Sequence, residues 1–340
     1  MVEIKTETKD PHASSQPKDQ NTGKLVRDKD GHWHLLREQQ EDTEDRQIAA
    51  ATSLDEMLVA NIIAQSSIKL AQAGCGTPRL DAEVLMMFVL GVSREELVKN
   101  WTKKLKPDLY EQYKQVLLRR MKREPIAYII GYKEFYGTRF MVDNRVLIPR
   151  PETELMVDKV LNYVKKWEYG QEQLTVADVG TGCGCIAVCV AKAVNFVKIF
   201  AIDSSESALE VARVNAGMFG LEKNIAFLHG DLLLPLPHPV HIIAANLPYI
   251  SEARYPQLEP EITQYEPKSA LVSGPTGLEF YDRLLSQAPQ FLLHNGIMLF
   301  EIDPEQLAPM RGLILKYLPQ AKLEVLKDGL NLARVVIAQM

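Results

Sequence analysis

Asn246-Leu247-Pro248-Tyr249 is the stretch of this chain whose residue types are best suited to chemistry. The run before it, Val240-His241-Ile242-Ile243-Ala244-Ala245, reads as a buried parallel strand. The tetrapeptide therefore falls just past a strand's carboxyl end, where open α/β sheets place their ligands. An Asn side-chain oxygen and a free main-chain carbonyl beside Pro248 can accept the two N–H bonds of a planar –NH2 group, while Tyr249 covers its face. Asn and Pro are also common turn residues, so the tetrapeptide alone leaves a plain turn open.

A second constellation precedes it. Val176-Ala177-Asp178-Val179 runs into Gly180-Thr181-Gly182-Cys183-Gly184, a strand entering a glycine-rich turn at a helix start. Glycine lets the backbone approach a ligand closely, and the spacing is G-x-G-x-G rather than the dinucleotide G-x-G-x-x-G. Asp203 lies 19 residues past Gly184, at the end of the next strand. A carboxylate there can accept from both ribose hydroxyls of a nucleoside. Asp231 is a third strand-end acid, and Leu232 beside it can pack on a base; a turn cap is the alternative reading of Asp231. Glycine turn and strand-end acid point to a nucleoside cofactor without separating S-adenosyl-L-methionine (AdoMet) from NAD. No second nucleotide fingerprint or phosphate-binding Lys loop is present, which favours AdoMet.

Cys183, Cys185 and Cys189 raise the question of a metal, but no zinc-type pair of C-x2-C elements exists. They read as small buried cysteines, and no metal is expected. His32 and His34 flank Trp33 without further ligands and read as a short solvated segment.

The elements that must position these residues follow from composition and periodicity. The chain of 340 residues is long enough for two domains, and its 46% hydrophobic and 24% charged content is ordinary for a soluble protein. A net charge of -5 argues against a protein-wide nucleic-acid surface. No run approaches the ~18 apolar residues of a membrane span, and no signal core or ordinary transit peptide is evident at the N-terminus. Four cysteines are too few for a disulfide scaffold and favour a reducing compartment. Met1 to Thr52 is polar and mixed in charge, and is expected to be a largely disordered tail.

A helical domain is expected over Ser53–Glu124. Ser53 with Glu56 matches a capping box, Pro78 opens a second helix that Gly91 stops, Ser93 with Glu96 caps a third, and Pro107 opens a fourth. Pro125–Arg150 reads as a β-hairpin linker, with β-like pieces throughout Ile126–Ile148. Between Trp101 and Arg150 stand twelve Lys/Arg against five Asp/Glu. This excess is either a solvated face or a docking surface for an acidic or RNA-associated partner. A helix over Glu152–Lys166 opens the region Pro151–Met340, where strands then alternate with helix-period segments. The expected fold is α/β: a doubly wound, mostly parallel seven-stranded sheet closing in an antiparallel C-terminal hairpin across Asp328-Gly329, the architecture of class I methyltransferases.

With these residues in view, the chain resembles the N5-glutamine methyltransferases of peptide chain release factors, the HemK/PrmC family. The resemblance rests on Gly180-Thr181-Gly182-Cys183-Gly184, on Asn246-Leu247-Pro248-Tyr249-Ile250, and most of all on Val146-Leu147-Ile148-Pro149-Arg150-Pro151-Glu152-Thr153-Glu154, which is similar to that family's interdomain signature. Pro78-Arg79-Leu80-Asp81-Ala82-Glu83, Arg123–Gly131 and Glu134-Phe135-Tyr136-Gly137 match as well, so it covers about Ser53 to Met340. It implies AdoMet contacts at Gly180, Thr181, Gly182, Cys183, Gly184, Asp203, Leu232 and Asn246, and a substrate glutamine held by Asn246, Leu247, Pro248 and Tyr249. Two departures stand out: Leu247 replaces the usual Pro, and Cys183 the usual Ser or Thr. The residue at Leu232 is also commonly larger. The implied reaction is methyl transfer to the glutamine of a release factor's Gly-Gly-Gln motif, in a cytoplasm or a mitochondrion, by a monomer that binds no nucleic acid stably and no membrane. Two rivals remain. N-L-P-Y also resembles rRNA adenine dimethyltransferases, so methylation of an adenine amine in RNA or DNA is one. The other is a non-catalytic AdoMet-fold module, which would be expected to lose Asn246 or the glycine turn.

Overall fold

The computed structural model describes residues 57–166 and 173–340, together with the backbone of 24–27 and 33–36. Ser53 and Glu56 of the expected capping box lie outside the described residues, as does most of the segment read as a tail. Within that segment β1 (Lys24–Arg27) pairs antiparallel with β2 (Trp33–Leu36). This hairpin belongs to a unit of its own, Met1–Ala51, apart from Thr52–Met340.

Four amphipathic helices begin the larger unit: α1 (Val59–Gln72), α2 (Pro78–Leu90), α3 (Arg94–Asn100) and α4 (Pro107–Met121). The expected punctuation operates. Pro78 opens α2 and Gly91 ends it in the left-handed region at φ 65°, while Ser93 and Glu96 form both halves of a capping box. Ile63, Leu70, Leu85, Met86, Leu97 and Tyr113 form the core. A buried ion pair crosses it: Arg120 Nε donates to Asp81 Oδ2 at 2.7 Å.

The expectation of β-like pieces from Ile126 is corrected at its start. Ile126–Ile130 is a short helix, α5, entered from Pro125 and closed by Gly131 at φ 82°. A five-residue apolar run carries no decisive period. Here the helix buries Ala127, Tyr128 and Ile129, and the Arg119 guanidinium satisfies the Tyr128 and Ile129 carbonyls. The hairpin then follows as expected, β3 (Tyr132–Phe135) against β4 (Thr138–Met141). Its two-residue turn has positive φ at both Tyr136 and Gly137, the geometry that matches strand twist.

A single turn of tighter helix at Pro151–Thr153 leads into α6 (Glu154–Lys165). Then come β5 (Thr175–Val179), α7 (Cys185–Ala193), β6 (Lys198–Asp203), α8 (Glu206–Gly217), β7 (Ile225–His229) and β8 (Val240–Ala245). An insertion to which the sequence reading assigns no elements holds β9 (Ile250–Ser251), α9 (Pro260–Tyr265) and β10 (Val272–Gly274), with β9 and β10 paired in parallel. The chain closes with α10 (Glu279–Phe291), β11 (Leu292–Glu301), α11 (Leu307–Tyr317), β12 (Lys322–Lys327) and β13 (Ala333–Gln339). The seven-stranded sheet runs β12-β13-β11-β8-β5-β6-β7. Its pairings from β11 to β7 are parallel, and only those of β13 are antiparallel. β5 and β8 lie at its centre with every residue buried, so their carboxyl ends open side by side at one edge.

Candidate active site

The central strands deliver the two sequence constellations to that edge. After β5 the chain turns through Gly180, Gly182 and Gly184, whose φ values of 72°, 55° and 81° few other residues adopt. The Gly180 and Thr181 N–H groups both donate to the Ile202 carbonyl at 2.9 Å, tying the turn to β6. A Cβ on Gly184 would stand 3.1 Å from that of Ala212, so this glycine lets α7 seat against α8. Beneath the turn, buried Asp178 accepts from Thr181 Oγ1 at 2.6 Å and from the Ala187 N–H at 3.1 Å. Burial pushes its carboxyl up to about 6.

Asp203 joins this turn directly. One carboxylate oxygen accepts the Gly182 N–H and the other the Ser205 N–H, both at 2.9 Å. Each oxygen keeps a further lone pair for a ligand. Burial raises this carboxyl as well. Over Gly182 the cradle is open: a Cβ there would meet nothing nearer than 4.0 Å. Cys183 and Cys185 are buried and free, and among the described residues no cluster of His, Cys, Asp or Glu could hold a metal ion. Asp231 and Leu232 are not hydrogen-bonded to the glycine turn. The Asp231 carboxylate is taken by Arg283 of α10 at 2.5 Å, and Leu232 is buried in the core at φ 52°.

The tetrapeptide leaves β8 against the same turn. Leu247 is buried, and its Cδ2 lies 2.9 Å from where a Cβ on Gly180 would stand. Its N–H donates to the Tyr281 hydroxyl at 3.3 Å, a bond that proline could not make. Asn246 Nδ2 donates to Thr153 Oγ1 at 3.1 Å, Thr153 Oγ1 donates to Glu301 Oε2 at 2.6 Å, and the Tyr249 hydroxyl donates to Glu301 Oε1 at 3.3 Å. Burial holds the Glu301 carboxyl up at about 7, although the bonds from Thr153 and Tyr249 draw it down. Burial likewise raises the Tyr249 hydroxyl, and the Glu301 charge adds to it.

In front of Asn246 and Tyr249 opens a cavity of about 190 Å³, walled by Leu147, Arg150, Leu258, Ile262 and Leu271. Glu266 pins this wall by accepting from the Ile148 N–H at 3.1 Å and from Arg150 at 2.5 Å. Arg254 at the rim pairs with Asp303 at 2.7 Å. The arrangement sets Asn246 and Tyr249 beside the glycine turn, in front of a cavity with largely apolar walls. Thr153, Glu301, Glu266 and Tyr281 were not singled out from sequence. Glu301 carried a usable signal, a lone acid closing an apolar strand, the same feature that marked Asp203.

Strand order, glycine turn and strand-end acid together define a class I methyltransferase. The family descriptions agree: residues 61–131 match "PrmC N-terminal domain" and residues 155–264 "Methyltransferase small domain". The release factor glutamine methyltransferase of Bacillus cereus is 35% identical over 261 residues, spanning 76% of this chain and 91% of that protein. That of Bacillus subtilis is 38% identical over 250 residues, spanning 73% and 86%. Among solved structures, the release-factor-specific protein-(glutamine-N5) methyltransferase of Alicyclobacillus acidocaldarius is 26% identical, with a TM-score of 0.37 over 59% of this chain and 98% of that one. The chain belongs to the release factor glutamine methyltransferase family.

Proposed function

We propose that this protein methylates the side-chain amide nitrogen, N5, of the glutamine in the Gly-Gly-Gln motif of a peptide chain release factor, with AdoMet as donor and S-adenosyl-L-homocysteine as product. The observation that carries the reading, beside family membership, is the packing of Leu247 on Gly180, which sets the amide-gripping tetrapeptide against the cofactor cradle. Gly180, Thr181, Gly182, Cys183 and Gly184 would line the donor, Asp203 would hold its ribose, Asp231 and Leu232 would flank its base, and Asn246 would meet both donor and substrate. Bound there, AdoMet supplies a methyl group activated by its sulfonium.

The chain's own contribution is positioning. An amide nitrogen is a weak nucleophile because its lone pair is delocalised into the carbonyl. Asn246 Oδ1 and the main-chain carbonyl on the Pro248 side accept its two N–H bonds, aim it, and polarise it toward the nucleophilic form. Tyr249 restricts the amide plane. Such positioning can supply several kcal/mol, up to roughly 7–11 in ideal cases. A nitrogen–carbon bond forms as the sulfur–carbon bond breaks, and the nitrogen releases one proton to water. The helical domain, 53–124, and the hairpin linker, 125–150, select the protein substrate and present it to domain 151–340. The protein acts as a monomer without stable nucleic-acid binding, in a cytoplasm or in a mitochondrion. Among the described residues no helix is long and apolar enough to cross a membrane.

Incubation with labelled AdoMet and a release factor, followed by mass spectrometry of the Gly-Gly-Gln peptide, tests the reading. One added methyl group on the glutamine is expected. Transfer to adenine of protein-free rRNA or DNA, with none to the release factor, would overturn it.

A further inference from the structure

We infer that Thr153 and Glu301 are positioning residues for this transfer, locking the Asn246 amide with its oxygen toward the substrate pocket and its nitrogen toward the core. The inference rests on the function proposed above. Both residues are 2% exposed, so no solvent competes for their hydrogen bonds.

The bonding order follows from what each group can donate. An ionised carboxylate only accepts. Glu301 Oε2 therefore takes the Thr153 hydroxyl proton, and Oε1 that of Tyr249. With its one proton committed, Thr153 Oγ1 presents lone pairs to Asn246, which only the –NH2 side of the amide can satisfy. Asn246 also lies within hydrogen-bonding reach of Glu301 itself. Rotating the amide by half a turn would set Oδ1 against the Thr153 lone pairs and the Glu301 charge. The core thus chooses between two amide orientations that have nearly the same shape, and leaves Oδ1 for the substrate –NH2.

Protonating Glu301 removes that choice. Its O–H can donate to Thr153, whose own proton is then free to meet Asn246 Oδ1 in the flipped orientation. The groups around Glu301 are Glu152 and Thr153 in the turn before α6, Tyr249 after β8, and Tyr281 of α10, whose hydroxyl donates to the Glu301 carbonyl. Arg150, Asp303 and Arg334 act on the same cluster through Tyr249. Glu152 raises the Glu301 carboxyl, whereas the Thr153 and Tyr249 hydrogen bonds lower it.

The test compares Thr153→Val and Thr153→Ser in the full chain. Valine should lower kcat about 10–100-fold, the cost of a misoriented gripping group, with KM for the release factor and AdoMet affinity changed far less. Serine, which keeps the hydroxyl, should restore kcat to within about threefold. In the parent, kcat should fall as pH drops through the range where Glu301 takes up its proton, and Glu301→Gln should be slow with that limb gone. A readout independent of turnover is the Asn246 side-chain –NH2 resonance in isotope-labelled protein, assigned by its loss in Asn246→Ala. Its protons should exchange slowly in the parent and Thr153→Ser, and rapidly in Thr153→Val. Unchanged kcat in Thr153→Val, failure of serine to rescue, or –NH2 exchange indifferent to Thr153 would each overturn the inference. A parent that transfers no methyl group to the release factor counts against the proposed function alone, because the exchange measurement still decides this one.

Discussion

At the scale of single residues the two halves of the site should separate on mutation. In the proposed function Asn246 would grip the acceptor, and Asp203, which accepts the Gly182 N–H, would hold the donor. Asn246→Ala is expected to remove nearly all transfer while AdoMet affinity falls little. Asp203→Ala is expected to weaken AdoMet binding by roughly 1.5–3 kcal/mol, the range of a charge-assisted hydrogen bond. Titration calorimetry beside single-turnover transfer resolves both, and a reversed pattern would exchange the two roles. Glu301 leads to a prediction about stability. Its folded carboxyl sits near about 7, well above the ordinary 4.5. Between those values the folded state holds a proton that the unfolded chain has lost, so raising pH across this window erodes stability, by up to about 3 kcal/mol for this group. The Tm of Glu301→Gln should therefore fall less than that of the parent between about pH 5 and pH 8. Parallel curves would show that Glu301 is ionised throughout.

At the scale of elements, what sequence revealed depended on how far apart the cooperating residues lie. Strands β5, β6 and β8 and the glycine turn were legible because each is a local apolar run ending in a distinctive residue. The wall of the pocket was not. Its α9 is a six-residue helix, and β9 pairs with β10 across some twenty intervening residues, so neither has a period to read. Thr153 and Glu301 meet across 148 positions, and only the fold brings them together. The same insertion is tied to the helical domain. Glu261 of α9 accepts from Arg120 at 2.9 Å and also from Arg123, while the Tyr265 hydroxyl donates to the Lys122 carbonyl at 2.6 Å. Ile262, between these anchors, lines the cavity. Arg120→Ala would leave Asp81 buried without its partner, and a loss of about 3–5 kcal/mol in unfolding free energy is expected. Chemical denaturation measures it; a loss below about 1 kcal/mol would mean that water reaches Asp81.

At the scale of the whole molecule, the positive excess between Trp101 and Arg150 resolves into two populations. Lys114, Arg119, Arg120, Arg123, Arg139, Arg145 and Arg150 are spent on internal ion pairs. Composition could not reveal this, because the partners of Arg120, Arg123 and Arg150 include acids far along the chain. Lys103, Lys104, Lys106, Lys122 and Lys133 form no ion pair among the described residues, and the first three stand exposed together just before α4. If the excess is a docking surface rather than a solvated face, these three would meet an acidic patch on the protein substrate. Replacing all three with Ala should raise KM for the release factor about 3- to 150-fold at low salt, at roughly 0.2–1 kcal/mol each, and flatten its dependence on ionic strength. AdoMet affinity should not change. A salt dependence identical to the parent's would move the docking surface elsewhere.

The seating of Leu247 on Gly180 has a thermodynamic consequence. In the proposed function this one contact would form part of both the donor's floor and the acceptor's frame, and the two ligands would then not bind as strangers. By linkage, whatever factor the donor adds to acceptor affinity the acceptor must return to the donor. Binding of S-adenosyl-L-homocysteine, measured with and without a saturating Gly-Gly-Gln peptide, should show a coupling of about 1–3 kcal/mol. Gly180→Ala, whose new methyl group would press on Leu247 at 2.9 Å from a backbone at φ 72°, should drive that coupling toward zero. Equal coupling in both proteins would mean that the two sites communicate by another route.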